Sequence, residues 1–120
     1  MTTEQRQCLD EVIGNIKVAG PLSEDTLRKK AIAHYKEQWK DTPFMLESAG
    51  RPSQEQLEQW MVNYVRHELT GYDEAWMSLG GKVPGGCAAV KHAVLDKIAE
   101  MYPFLREACE RQKERCFRTW

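Results

Sequence analysis

Between positions 66 and 73 the chain gathers a guanidinium, an imidazole, a hydroxyl, a phenol and a carboxylate: Arg66, His67, Thr70, Tyr72 and Asp73. These types could do chemistry together. Arg66 suits a carboxylate or phosphate, His67 can accept or deliver a proton, and Asp73 or Tyr72 can orient the imidazole. The candidate catalytic residues are therefore His67, Tyr72 and Asp73, and with Arg66 they form a candidate binding cluster. Each also has an ordinary structural use. Arg66 and His67 fall in the last turn of one helix and Asp73 in the first turn of the next, where the helix dipole favours those charges. Thr70 and Asp73 read as a capping box, Arg66 as the partner of Asp73, and Tyr72 as a wedge into the core. Capping and pairing are the preferred expectation. A hydrolase ranks below it, because no serine or cysteine nucleophile adjoins the cluster in sequence.

Three other segments offer weaker chemistry. Gly80-Gly81-Lys82-Val83-Pro84-Gly85-Gly86 leads into a helix, and a glycine-rich entry can hold a phosphate through free N–H groups. It lacks a Gly-Lys-Ser/Thr ending and follows a helix rather than a strand, so a tight connector is preferred. Cys8, Cys87, Cys109 and Cys116 have no close Cys-x-x-Cys spacing. Buried free thiols are expected rather than zinc ligands, and no metal or cofactor is assigned. His34 and His92 are expected to be surface or capping groups. The last helix carries Arg106, Arg111, Lys113, Arg115 and Arg118 against Glu107, Glu110 and Glu114. With Phe117 and Trp120 this mild basic stripe makes Arg111, Arg115, Arg118 and Trp120 candidate contacts for RNA, DNA or an acidic partner. A solvated face with intrahelical ion pairs is the alternative, and the preferred one.

The string Val65-Arg66-His67-Glu68-Leu69-Thr70-Gly71-Tyr72-Asp73, followed by Leu95, Ile98, Tyr102-Pro103 and Leu105, resembles a family of small helical bacterial, plasmid and phage proteins with an Arg-His-x-x-Thr-x-Tyr-Asp signature. The likeness spans roughly the second half of the chain. It implies a helical fold and a mobile-element origin, and it names no reaction.

Elements that would position these residues follow from apolar periodicity and breakers. Cys8, Leu9, Val12, Ile13 and Ile16 define a first helix ending at Gly20-Pro21. Ser23 caps a second, carrying Leu27, Ala31, Tyr35 and Trp39 to about Asp41. Breakers from Asp41 to Ser53 mark a loop whose Phe44, Met45 and Leu46 fold back onto the core. Ser53 and Gln56 form a capping box for the strongest helix, with Leu57, Trp60, Met61, Tyr64, Val65 and Leu69 on one face. A short helix then carries Ala75, Trp76 and Leu79, another carries Cys87, Val90, Val94, Ile98 and Met101, and Pro103 opens the last, with Leu105, Cys109 and Cys116.

With 120 residues, 42% hydrophobic and 29% charged, the expected fold is all-α: a single domain over residues 1–120, an irregular orthogonal bundle of five to six helices. A net charge of −1 gives no bulk attraction to nucleic acid or anionic lipid. A major-groove helix-turn-helix at Thr70-Gly71 is rejected, because the second helix would open on Tyr72-Asp73-Glu74 and set carboxylates against phosphate. No secretory signal or membrane span is evident, so a cytoplasmic location is expected. Four tryptophans in so short a chain suggest that some serve a contact surface. The leading expectation is a non-enzymatic binding protein that docks a protein or nucleoprotein partner, for example an inhibitor of a host defence complex. The competitors are a small enzyme acting on a phosphate-containing or nucleic-acid substrate through Arg66, His67 and Asp73, and a homo-oligomeric structural protein.

Overall fold

A computed structural model of the chain describes residues 2–38, 53–79 and 83–116, with side chains described to residue 114. Within these residues lie α1 (Thr3–Gly14), α2 (Glu24–Gln38), α3 (Gln54–Glu68), α4 (Tyr72–Leu79), α5 (Gly86–Met101), a 3-10 turn (Pro103–Leu105) and α6 (Arg106–Cys116). The fold is an all-α bundle. Among the described residues the one extended pairing is an isolated antiparallel bridge between Val18 and Thr70.

Local chemistry sets most helix starts. Thr2 and Gln5 cap α1 reciprocally, and Ser53 and Gln56 do the same for α3. The Ser23 hydroxyl accepts from the Thr26 N–H at the start of α2. Gly85 enters α5 with φ of 70°, a left-handed conformation that a β-carbon would strain. At Gly86 an added Cβ would stand 3.1 Å from Leu79 Cδ1 and from Val83 Cβ. Both glycines thus have packing or turn duties, as a tight connector requires; Gly80, Gly81 and Lys82 lie outside the described residues.

The first helix stops earlier than its periodicity suggests. It ends at Gly14, capped by Asn15, rather than at Gly20-Pro21. Glycine and asparagine weaken the helix there, and the following residues gain more from tertiary bonds. Ala19 N–H donates to Leu69 O at 2.8 Å and Gly71 N–H to Lys17 O at 2.8 Å, pinning the α1–α2 connector to the α3–α4 turn. Ile16 is buried beyond the helix end. The same connector is tied at a second point, where the Leu22 N–H donates to the buried Tyr102 hydroxyl at 2.9 Å.

One core joins these elements. Leu27 and Ala31 of α2, Met61, Val62 and Val65 of α3, Leu79 of α4, Val90, Val94, Leu95 and Ile98 of α5, then Leu105, Ala108 and Cys109 form a single cluster. Val62 and Leu95 were not singled out by helical periodicity, yet neither has any exposure. Trp39, Phe44, Met45 and Leu46 fall outside the described residues.

Candidate functional site

The α3–α4 turn is where the cluster of titratable residues is assembled. Helix α3 ends with Arg66, His67 and Glu68, and the Leu69 N–H closes on Val65 O. The Thr70 hydroxyl donates to the Arg66 carbonyl and accepts from the Tyr72 N–H at 3.2 Å. Thr70 therefore caps α4 through a local turn, not through the expected box with Asp73. The reason lies in the turn's length. With only three residues between the helices, the hydroxyl reaches position 72 first, and the Asp73 side chain is left to face α3.

That placement gives Asp73 a different partner from the one expected. Its Oδ1 lies 2.8 Å from His67 Nδ1, and the Arg66 guanidinium turns the other way. A carboxylate can only accept, so Nδ1 carries the proton. Arg66 Nη2 stands 3.2 Å from His67 Nε2 and can only donate, so a hydrogen bond between them uses Nε2 as the acceptor. The lone pair that a general base would use already receives a hydrogen bond.

Arg66 is held from several directions. Its Nη1 donates to Gln112 Oε1 at 2.7 Å, its Nη2 to Asn63 Oδ1 at 3.3 Å, and its guanidinium carbon lies 5.2 Å from the Tyr72 ring centre. Tyr72 is buried beneath it, as the wedge expectation required. Gln112 in turn donates from Nε2 to Gln59 Oε1 at 2.9 Å and Asn63 Oδ1 at 3.0 Å. A continuous hydrogen-bonded chain thus runs from Asp73 through His67, Arg66 and Gln112 to Gln59, joining α4, α3 and α6.

Gln59, Asn63 and Gln112 were missed as site residues, although a signal existed. Gln59, Asn63 and Arg66 recur at helical spacing, and Gln112 continues the stripe of Leu105, Ala108 and Cys109 where an apolar residue would be expected. A polar side chain in an apolar stripe is the trace of a buried network.

Two surfaces flank the chain. On the α2 side, a cleft of about 670 Å³ is lined by His34, Tyr35, Trp60, Arg66, His67 and Glu68 among others; Asp73 is not part of its wall. Tyr35 and Trp60 stack within it, ring centres 3.9 Å apart and 15° from parallel. His34 packs edge-on against Tyr64 and sits 3.9 Å from Glu68. On the outer side, α4 leaves Trp76 48% and Met77 77% exposed, while Ala75 and Leu79 of the same helix are buried.

Two described residues of the α6 basic stripe are paired with acids of α3, of α5 and of α6 itself. Arg111 lies 3.5 Å from Glu55 and 3.7 Å from Glu58, and Lys113 pairs with Asp96 and Glu110. The hydrogen bond to Asp96 raises the Lys113 ammonium above the usual lysine range. Arg118 and Trp120, and the Arg115 side chain, lie outside the described residues. Cys8, Cys87 and Cys109 are free thiols, but only Cys109 is buried; Cys8 and Cys87 are half-exposed. Burial pushes the Cys109 thiol up to about 11, which makes it an inert core group. Among the described residues, no three His, Cys, Asp or Glu side chains converge as a metal site would need. None of the described helices is long and apolar enough to cross a membrane.

Comparison with protein-family models, curated proteins and solved structures finds no match to this chain.

Proposed function

We propose that this chain is a non-enzymatic cytoplasmic binding protein that docks a protein partner through the outer face of α4. The observation that carries the proposal is the exposure of Trp76 and Met77, 48% and 77%, on a helix whose other face is buried. Tryptophan supplies large rigid contact area and methionine adapts to a partner's contour, so the pair has the make-up of an anchor. Glu74 stands beside them, also exposed, while Asp73 is engaged with His67 of α3. The matching partner surface is an apolar recess rimmed by lysine or arginine, and phosphate would be repelled there. An inhibitor of a host defence complex is one concrete form.

The experiment is affinity capture from nuclease-treated host lysate with the wild-type chain and with a Trp76→Ala/Met77→Ala variant, read by mass spectrometry. A stoichiometric partner held by the wild type and lost by the variant is the expected result. Identical capture by both chains sinks the proposal, and a wild-type dimer abolished in the variant transfers the face to a homo-oligomer. A second function, a small enzyme using Arg66, His67 and Asp73 on a phosphate-containing or nucleic-acid substrate, is favoured by the 2.8 Å His67–Asp73 pair. It ranks second because Arg66 already occupies His67 Nε2. Turnover of a nucleic-acid or phosphoester substrate that disappears in His67→Ala would put it first.

A further inference from the structure

Side-chain directions on a helix turn by about 100° per residue, so the open arc of α4 runs from Met77 to Glu74 and then to Ser78, all exposed, where the helix meets α1. Between the two helices lies a cleft of about 260 Å³, lined by Glu11, Asn15, Lys17, Glu74 and Ser78 among others. That is below the roughly 300–1,000 Å³ of a small-molecule site, and it suits one long side chain. A more open depression continues along α1 past Glu4, Gln7, Cys8 and Asp10, and Glu11 belongs to both.

The chemistry of this strip is mostly of one sign. Glu4, Asp10, Glu11 and Glu74 are exposed, and among the described residues none of the four makes an ion pair. The acids of the other side are engaged: Asp73 faces His67, Glu55 and Glu58 face Arg111, and Asp96 and Glu110 face Lys113. Against the four carboxylates, Lys17 is the one cation among the described residues that line the two depressions. The Ser78 hydroxyl already donates to the Glu74 carbonyl, so what it has left for the cleft is an acceptor. Helix α1 ends at the cleft with no basic residue in its last turn, and the negative end of its dipole adds to the same sign. Lys97, 3.5 Å from the Ile13 carbonyl, offsets part of that dipole. An apolar anchor bordered on one side by acceptors and negative charge matches a partner that is apolar and then cationic in the same order.

We infer that the occupant of α4's outer face is a basic amphipathic segment of another protein, its apolar side chains on Trp76 and Met77 and its lysines or arginines along Glu74, Glu11 and Glu4, one of them entering the cleft between α1 and α4. The inference rests on the docking role proposed for α4 and adds the partner's charge, its direction across the surface and the participation of α1. Nucleic acid and anionic lipid are repelled by the same carboxylates.

The test is a ¹⁵N-edited NMR titration of the full chain with two synthetic amphipathic peptides that share a leucine face, one carrying lysine and the other glutamate on the opposite face. The expected result is saturable shifts from the lysine peptide at the Trp76 indole N–H and at the backbone amides of Glu11, Glu74 and Met77, and none from the glutamate peptide. Glu11→Gln with Glu74→Gln weakens the lysine peptide about tenfold with the backbone fingerprint kept. Glu11→Lys with Glu74→Lys moves the preference to the glutamate peptide. Added sodium chloride weakens the wild-type complex, which decides the matter should the variants not fold. No saturation by the lysine peptide, a folded glutamine variant that binds it as well as the wild type, or shifts that appear on concentration alone and so place a second copy on the face, would overturn the inference. The docking role fails separately: Trp76→Ala with Met77→Ala binding the lysine peptide unchanged removes the anchor, whereas loss there with no effect of the glutamine pair keeps the anchor and removes the basic occupant.

Discussion

Helices α4 and α5 are both rich in apolar residues, yet they are used in opposite ways. Helix α5 is touched by α1, α3, α4, the 3-10 turn and α6, and Val90, Val94, Leu95 and Ile98 have no exposure at all. Helix α4 packs on α1, α3 and α5 along one side only, burying Tyr72, Ala75 and Leu79 while Trp76 and Met77 remain in solvent. Apolar content therefore does not decide burial; the number of neighbours around a helix does. Where neighbours are lacking, the apolar surplus becomes available for binding.

Ile98→Ala should sharpen this contrast most. Deleting a fully buried aliphatic side chain in α5 is expected to cost about 2–5 kcal/mol, read from urea midpoints. A loss below about 1 kcal/mol would deny α5 its place at the centre of the core.

The next effect concerns pH at the α5–α6 packing. Because burial holds the Cys109 thiol at about 11 against an ordinary 9.0, the unfolded chain gives up this proton first as pH rises. The neutral thiol's contribution is fully present below about pH 9 and is lost progressively toward about pH 11, to the extent of about 3 kcal/mol. Under reducing conditions, stability measured against pH should fall more steeply for the wild type than for Cys109→Ala. Parallel profiles would remove Cys109 from the account.

A smaller change is expected where structure is local. Ser53→Ala removes the hydroxyl that accepts from the Gln56 N–H at 3.1 Å and should lower stability by about 1 kcal/mol. An unchanged thermal midpoint would show that α3 is held by its packing alone. The smallest stability effect belongs to α4's outer face: Trp76→Ala with Met77→Ala should alter unfolding free energy by no more than about 0.5 kcal/mol each. Destabilisation as large as that of Ile98→Ala would mean that the pair is structural, and the comparison between the helices would collapse.

Much of the architecture was legible because its causes lie within a turn or so of each residue. The Ser53–Gln56 box, the apolar face from Leu57 to Leu69 and the Pro103 start of the last segment all appear where spacing placed them. The errors share one cause. Helical spacing carries the first helix too far because Ile16 keeps the period, whereas Ile16 is buried beyond the helix end, just before Val18 bridges to Thr70. Thr70 and Asp73 were paired with each other by motif, whereas the geometry of the turn gives them Tyr72 and His67.

By itself, then, the sequence determined that the chain is helical, where most helices start, and that residues 66–73 gather polar groups at a junction. Propensity, capping and breakers act over a few residues and need no knowledge of the rest of the fold. The tertiary structure alone decided that Arg66 turns to Gln112, 46 positions away, and that Gln112 reaches Gln59 across 53. It also decided which of the apolar helices kept an open face. Both outcomes depend on how helices dock, and docking is governed by the shape and burial of whole faces, which no local spacing encodes.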